Sequence, residues 1–208
     1  MPDRQGAPPR AWQRMLSGRR LDLLDPSPLD VEVEDIAHGL ARVARWNGQT
    51  FGDHAFSVAQ HSLLVERILA LQLGECAGEL RLAALLHDAP EYVIGDLISP
   101  FKAVIDAPYR QIEERLHAVI RLRFGLPATL PAPILVRIKK ADQAAAYFEA
   151  VRLAGFTDAE AARFFGRPGG VSVDAISDLL GPWPAKKAES LYLKAFRAVA
   201  RTVAAEPA

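Results

Sequence analysis

The sequence has little of several features that would indicate a partner or a compartment. It contains a single cysteine, Cys76, which cannot form an intramolecular disulfide, so a reducing compartment is expected. Its 25 lysines and arginines are balanced by 25 aspartates and glutamates, which removes the net field that would favour a nucleic acid polymer or an anionic membrane. No apolar run reaches the roughly 18 residues of a membrane span. We therefore expect a cytoplasmic protein that is not attached to a membrane.

The apolar residues that are present predict the architecture. A length of 208 residues, 50% of them hydrophobic, suffices for one domain with a sizeable core. Residues 1–30 mix proline, glycine and arginine and predict a partly irregular extension ahead of a domain at 31–208, with a short extended segment or hairpin within 21–33. Elsewhere the apolar positions recur at helical spacing. We predict an all-α, single-domain helical bundle.

Capping and breaking residues set the predicted helix boundaries. Asp35 is a candidate N-cap for the first helix, and Asn47-Gly48 ends it. Ser57 followed by Gln60 has the pattern of a capping box and begins the second helix. Pro90 should bend the third helix near its end. The remaining helices are predicted as follows: the third over 79–94, the fourth over 108–124, the fifth over 134–153, a short helix over 158–165 and the last over 185–203.

Polar residues interrupt the apolar stripes of three of these helices. His61 lies on the apolar face of the second helix, His87 and Asp88 fall in the third, and Asp142 lies in the stripe of the fifth. An unpaired polar group costs roughly 1–7 kcal/mol to bury, and a divalent cation would satisfy imidazole and carboxylate together. His61 alone would more often be a core histidine, but the neighbouring pair favours the ligand interpretation. Glu91, about one turn beyond His87, would reach a water in such a site.

Other polar residues have ordinary structural interpretations when each is taken alone. Arg45 and Trp46 end the first helix, where a solvated cation and a core anchor are expected. Asp96 follows Gly95 and would serve as a turn former or helix cap. His117 falls away from the apolar stripe of the fourth helix and is predicted to be solvated.

The order of His61, His87-Asp88 and Asp142 resembles the metal-binding signature of the HD-domain phosphohydrolase superfamily. Five matches in order are much more specific than an isolated His-Asp dipeptide, and they resemble the bacterial 5'-deoxynucleotidase branch across most of the chain. The matching segments are Arg45-Trp46, Val58-Ala59-Gln60-His61-Ser62, the run 85–91, Gly95-Asp96-Leu97 and Lys140-Ala141-Asp142.

The resemblance implies a role for each matching position. The four signature residues would hold one divalent ion, and cobalt, manganese, zinc and magnesium all remain candidates. Arg45 would orient the substrate phosphate, and Glu91 would take the proton of the attacking water. Asp96 would be a third catalytic residue. Trp46 would select deoxyribose by filling the space of a ribose 2'-hydroxyl. The residues implied to contact the substrate are Arg45, Trp46, Asp88, Asp96, Ser99 and Lys102.

The implied activity is release of phosphate from a deoxynucleoside 5'-monophosphate, with a small-molecule nucleotide as substrate. Two residues depart from the branch: Gln60 stands where glutamate is usual, and Pro90 replaces a small residue. The run 45–48, followed by a loop with His54, also resembles enzymes that cleave deoxynucleoside triphosphates. A triphosphohydrolase is therefore the alternative, and a non-catalytic nucleotide-binding regulator is the third hypothesis. One ion is preferred over two because only His117 is available as an extra ligand. The base preference is left open, and so is the choice between monomer and homodimer.

Overall fold

The computed structural model describes residues 11–74 and 76–205 of the chain. Within them the predicted all-α, single-domain bundle is confirmed, preceded by one small antiparallel hairpin. No helix in these ranges combines the length and the apolar character needed to cross a membrane. The elements in chain order are β1 (Trp12–Arg14), β2 (Arg20–Asp22), α1 (Val33–Leu40), α2 (Val58–Leu73), α3 (Gly78–Leu85), α4 (Glu91–Ile94), α5 (Ser99–Arg123), α6 (Ala132–Arg152), α7 (Asp158–Phe165) and α8 (Ala185–Ala205), with 3₁₀ segments at Pro28–Asp30, Arg45–Gly48 and Val173–Leu179.

The second helix, α2, forms the centre of the bundle. It begins where the sequence predicts, with the Ser57 hydroxyl accepting a hydrogen bond from the amide of Gln60. Every residue from Val58 to Glu66 is buried, because α3, α6 and α8 all pack against this helix. A polar side chain here has no route to water and must find its partner inside the protein.

Gln60 ties the segment before α8 to this central helix. Its side-chain nitrogen donates to the carbonyls of Leu179 and Gly181 at 2.8 and 2.7 Å, and its side-chain oxygen accepts from the backbone N–H of Trp183 at 3.1 Å. Only an amide can donate and accept in this way, whereas an ionised glutamate only accepts. Glutamine at this position is thus favoured by hydrogen bonding. The predicted capping box is half formed, since the side chain of Gln60 is used elsewhere.

The predicted continuous helix over 79–94 is wrong. α3 ends at Leu85, α4 begins at Glu91, and consecutive turns occupy residues 86–90 between them. Pro90 lacks an amide hydrogen and disfavours helical geometry in the residue before it, so the helix stops and restarts around it. Pro90 accordingly stands at the N-cap of α4. His87 and Asp88 therefore lie in a turn and not on a helix face.

The fourth predicted helix begins earlier than expected. α5 starts at Ser99, ahead of the predicted start at residue 108, and includes Pro108 in its interior. A proline lies in its first turn, where the missing amide hydrogen would be unpaired in any case. The loop before α5 is consequently limited to residues 95–98.

Asp35 is not the N-cap of α1, because Glu32 holds that position and Asp35 is buried within the helix. Its carboxylate accepts hydrogen bonds from the backbone N–H and the hydroxyl of Ser17, at 3.0 and 2.5 Å. These bonds fasten the β1–β2 hairpin to α1, and Leu21 of β2 is fully buried. The hairpin lies mostly ahead of the extended segment or hairpin predicted within 21–33, which it overlaps only at residues 21 and 22. Residues 1–10 of the predicted extension lie outside the described residues, and the domain boundary after residue 30 stays a prediction.

We predict that Gly39→Ala destabilises the protein. A Cβ at this position of α1 would lie 2.8 Å from both the Cβ and the backbone oxygen of Tyr92 on α4. Alanine gains about 0.5–1 kcal/mol over glycine inside a helix, but overpacking costs about 1–3 kcal/mol, so the loss should prevail. Urea denaturation should show a lower free energy of unfolding.

The matched control is Gly169→Ala, whose added Cβ would meet no atom within 4 Å. It should unfold within about 0.5 kcal/mol of the wild type. An unchanged denaturation midpoint for Gly39→Ala would contradict the close approach of α1 and α4.

Candidate metal centre and adjoining cleft

His61 lies near the start of α2 and is fully buried. Its Nδ1 lies 2.5 Å from Oε1 of Glu149 on α6. Because an ionised carboxylate only accepts, Nδ1 carries a hydrogen, so the neutral form of the ring would have its lone pair on Nε2. Around Nε2 stand Oδ2 of Asp88 and Oδ1 of Asp142, at 3.4 and 3.3 Å.

His87 is oriented in the same sense by the backbone of its own turn. Its Nδ1 donates to the carbonyl of Ala84 at 2.8 Å, and a carbonyl can only accept. Its Nε2 lies 3.2 Å from Oδ2 of Asp88. Both histidines thus hold their Nδ1 hydrogens in bonds to the protein and turn Nε2 toward the same aspartate.

His61, His87 and Asp88 form a group that could hold a metal ion. Their ligand atoms all lie within 4.8 Å of one another. Both Nε2 atoms are buried, and neither makes a hydrogen bond to any described residue. Metal-ligating histidines almost always donate their other ring N–H to a carboxylate or a backbone carbonyl, which is the arrangement seen here. The side chains therefore fit a divalent cation.

Asp142, which the sequence predicts as the fourth ligand, stands beside this group. It lies on α6, where Oδ1 contacts His61 and Oδ2 accepts from Nζ of Lys139 at 2.7 Å. It is not among the three residues whose ligand atoms lie within 4.8 Å of one another. Release of the exposed Lys139 side chain would free its second oxygen.

The cluster is strongly polarised by its own charges. Burial raises the pKa of Asp88 and Asp142, but the two histidines outweigh it and hold both well below the usual value. Burial lowers the pKa of His61, but the neighbouring carboxylates, Glu149 foremost, hold it well above its usual value. The carboxylates are therefore ionised and attract positive charge to the position between the rings.

A cleft of about 740 Å³ opens beside the cluster. Its lining combines charged side chains with a group of aromatic rings, which we call the aromatic wall: Trp46, Phe156, Phe164 and Phe165. The sequence-predicted residues found in the lining are Arg45, Trp46, Asp88, Glu91, Asp96, Lys102 and Asp142.

The sequence places Arg45 and Trp46 at the end of the first helix, but α1 ends at Leu40 and both residues lie in the 3₁₀ segment Arg45–Gly48. The guanidinium of Arg45 places Nη1 3.3 Å from Asp96 and Nη2 3.3 Å from Glu149, while its buried Nε has no hydrogen-bond partner in the described residues. Trp46 has a left-handed backbone with φ of 57° and donates from Nε1 to Glu149 at 2.9 Å. Its ring packs against Phe156 and Phe165, with centroids 5.7 and 5.8 Å away.

Glu91 is buried at the start of α4. Its Oε1 lies 3.4 Å from Nζ of Lys102, and its Oε2 has no hydrogen-bond partner among the described residues. Burial and the charges of Asp88 and Asp96 raise the pKa of Glu91 to about 9. Lys102 is shared with Glu113 at 3.3 Å.

Three other positions differ from the predicted site or fall outside it. The side chain of Ser99 lies outside the described residues, and His54 is exposed on its loop. The prediction that His117 is solvated is wrong, because it is half-buried and burial lowers its pKa to about 3. The charges of His87 and Asp88 act on the pKa of His117. In the described part of the chain, however, it does not belong to the group of three ligand residues.

Glu149 is the functional residue that the sequence analysis missed. It is fully buried on α6 and contacts His61, Arg45 and Trp46. Burial would raise its pKa, but the adjacent cations, His61 first, lower it to about 2, so it is ionised. One signal was present: Glu149 follows Asp142 by seven residues, which places both acids on one apolar helix face.

Comparisons with known proteins show the family. The "Uncharacterized protein RCAP_rcc00048" of Rhodobacter capsulatus is 60% identical over 179 residues, which span 86% of this chain and 91% of that protein. The chain belongs to the family of that protein. The "Uncharacterized protein YfdR" of Escherichia coli K12 is 33% identical over 105 residues, 50% of this chain and 53% of its own length. No model of a protein family matches the chain.

We predict that His87→Ala weakens divalent-metal binding by more than the roughly 10–100-fold expected for loss of an orienting partner, because a ligand atom itself is removed. Isothermal titration with cobalt or zinc measures this directly. His54→Ala is the control, since His54 is exposed, and it should bind metal as the wild type does. Equal affinity in the two variants would remove His87 from the ligand set.

Proposed function

We propose that this chain is an HD-type, metal-dependent phosphohydrolase that releases phosphate from deoxynucleoside 5'-monophosphates. The proposal rests on the buried Nε2 atoms of His61 and His87, neither of which makes a hydrogen bond to any described residue, and which meet Asp88 at the wall of a cleft also lined by Arg45. A cation site and an anion-binding guanidinium are thus combined in one cavity. Metal-assisted hydrolysis of a phosphate ester uses both.

The proposed ligands are His61, His87, Asp88 and Asp142, around one divalent ion. When bound, the ion would polarise a phosphoryl oxygen and lower the pKa of the attacking water. Two imidazoles with carboxylates suit zinc, cobalt and manganese better than magnesium, which prefers oxygen ligands.

Arg45 is proposed to bind the phosphate. Its contacts to Asp96 and Glu149 are both 3.3 Å, longer than the roughly 2.7–2.9 Å of strong charge-assisted bonds, and its Nε has no partner within the described chain. The fork therefore keeps capacity for a second anion. Its planar geometry matches two oxygens of one phosphate, and Lys102 adds a cation in the same lining.

Glu91 is proposed to take the proton of the attacking water. The water oxygen bonds to phosphorus, the bond from phosphorus to the 5'-oxygen breaks, and a proton returns to that oxygen. The products are a deoxynucleoside and orthophosphate, which retains the second hydrogen of the water. The pKa of Glu91 is raised to about 9 by burial first and by the charge of Asp88 next. Positive charge beside Asp88 would offset that second cause and bring the carboxyl toward the range of a base.

The aromatic wall supports a nucleoside as the group released. The ring of Trp46 is held by Phe156 and Phe165 and cannot retreat from the cleft without disturbing them. A fixed ring at this place would reject a ribose 2'-hydroxyl. Phe164 is 63% exposed in the same lining and offers a face on which a base could stack. Asp96 and Ser99 are proposed to complete the nucleoside pocket.

A deoxynucleoside triphosphate triphosphohydrolase is the second candidate. The cleft lining carries Lys102 and Lys139 in addition to Arg45. Three cations could neutralise more than one phosphate group, which favours this alternative.

The test of function is hydrolysis of all deoxy- and ribonucleoside mono- and triphosphates by protein loaded with cobalt, manganese, zinc or magnesium. We expect orthophosphate from deoxynucleoside monophosphates and little from their ribose counterparts. Inorganic triphosphate as the product would replace the first candidate with the second. Equal turnover of ribonucleotides would remove Trp46 from sugar selection, and no hydrolysis with any ion would end both proposals.

Variants should separate the proposed base from the proposed ligand. Glu91→Gln should keep metal affinity and lose about 100- to 10,000-fold in kcat, because proton transfer is removed. Asp142→Asn should weaken metal binding itself. The control is Glu113→Gln, which also removes a partner of Lys102 and should keep its kcat. Equal metal loss in Glu91→Gln and Asp142→Asn would show that Glu91 is a ligand.

A further inference from the structure

We infer that Glu149 is a positioning residue that sets the metal-site histidine and the substrate-facing pair Arg45 and Trp46 relative to one another. Its side chain is fully buried, and its two oxygens divide between the two halves of the site. Oε1 contacts Nδ1 of His61 at 2.5 Å, and Oε2 accepts from Trp46 at 2.9 Å and contacts Arg45 at 3.3 Å. The inference rests on the proposed function only in assuming that His61 binds a metal ion and that Arg45 and Trp46 face the substrate.

The partners of Glu149 are unusual for a residue that only stabilises the fold. A buried ion pair is often no better for stability than well-packed apolar residues of the same volume, since desolvation offsets the attraction. All three partners come from other elements, α2 and the 3₁₀ segment Arg45–Gly48, and two of them line the cleft. The carboxylate therefore connects one histidine of the metal cluster to two adjacent residues of the cleft lining.

At His61 the contact selects one tautomer. A hydrogen on Nδ1 leaves the lone pair on Nε2, and only that nitrogen is close to Asp88 and Asp142. Without an acceptor at Nδ1 the hydrogen would be free to move to Nε2, which would remove a metal ligand.

At Trp46 the contact holds a backbone conformation that residues other than glycine seldom adopt. Trp46 and Asn47 both have positive φ, at 57° and 50°. Left-handed residues of this kind cost on the order of 1 kcal/mol or more and persist when surrounding contacts hold them. The bond from the indole nitrogen to Glu149 is such a contact, and it fixes the ring against Phe156 and Phe165.

Glutamine at position 149 could not serve both halves at once. Its amide has one accepting oxygen and one donating nitrogen, whereas every partner of Glu149 donates. If the nitrogen faced His61, the imidazole would have to place its hydrogen on Nε2. If it faced Arg45 and Trp46, three donors would oppose one another. Either orientation should disturb one half of the site.

The test compares Glu149→Gln with Glu66→Gln. Glu66 is also a buried acid, on α2, and pairs with Arg81 at 2.6 Å outside the cleft. Titration with zinc and, for the zinc-loaded proteins, with inorganic phosphate gives two affinities that need no turnover. We expect Glu149→Gln to lose about 10–100-fold in at least one of them, as loss of an orienting partner does at metal sites. Glu66→Gln should stay within about 2-fold of the wild type in both. Unchanged affinities in Glu149→Gln, or an equal loss in Glu66→Gln, would overturn the inference.

A second measurement does not depend on whether the variants fold. Long-range ¹H–¹⁵N correlation spectra of zinc-loaded wild-type protein report which ring nitrogen of each histidine carries hydrogen. The inference requires hydrogen on Nδ1 of His61, and hydrogen on Nε2 would overturn it.

Glu149→Asp, which keeps the charge and both acceptors, should recover part of the lost affinity. Failure of nucleotide hydrolysis would leave all these readouts intact, so the two proposals can fail separately.

Discussion

The structure depends on a cluster of opposite charges that is buried in the middle of an apolar bundle. The carboxylates of Asp88, Asp142 and Glu149 surround His61, and Glu149 also contacts Arg45. Charges removed from water cost several kcal/mol each unless they are paired, so every member needs the others. The guanidinium of Arg45 and the ammonium of Lys139 supply two positive charges against these three carboxylates, which leaves an excess of negative charge. A proton on the imidazole can balance part of that excess, and a divalent cation can take its place.

The break between α3 and α4 is what allows two adjacent residues to serve one site. Successive residues of a continuous helix point about 100° apart, so His87 and Asp88 would face different directions. In the turn at 86–90 their side chains approach within 3.2 Å of each other. Pro90 enforces the turn, and the helix that restarts after it carries Glu91 into the cleft lining. A local backbone rule thus places three side chains of the candidate site.

Much of this arrangement could be predicted from the sequence, because the strongest signals are local. The Ser57 cap fixed the start of α2 and hence the inward face of His61. Asp142 stood out as an acid in an apolar stripe, and the structure places it against that histidine. The stop of α3 was missed because the apolar periodicity continues across Pro90. The start of α5 was missed because a proline can also begin a helix.

Other features depended on contacts between elements, which no local pattern encodes. Glu149 shares the face of Asp142, but a long acidic side chain near a helix end usually reaches solvent. Its partners come from α2 and from the segment after α1, far away in the chain. His117 looked solvated from its own helix, but it is half-buried in the folded chain. The left-handed turn at Trp46 has no glycine at that residue to announce it.

The most direct test of the account is X-ray absorption spectroscopy of the protein loaded with one equivalent of zinc or cobalt. The multiple-scattering pattern of imidazole counts histidine ligands without reference to any substrate. The account predicts two histidine nitrogens at about 2.0–2.1 Å with the remaining ligands oxygen. A shell made of oxygen alone, or one unaltered by removal of the His61 imidazole, would contradict it.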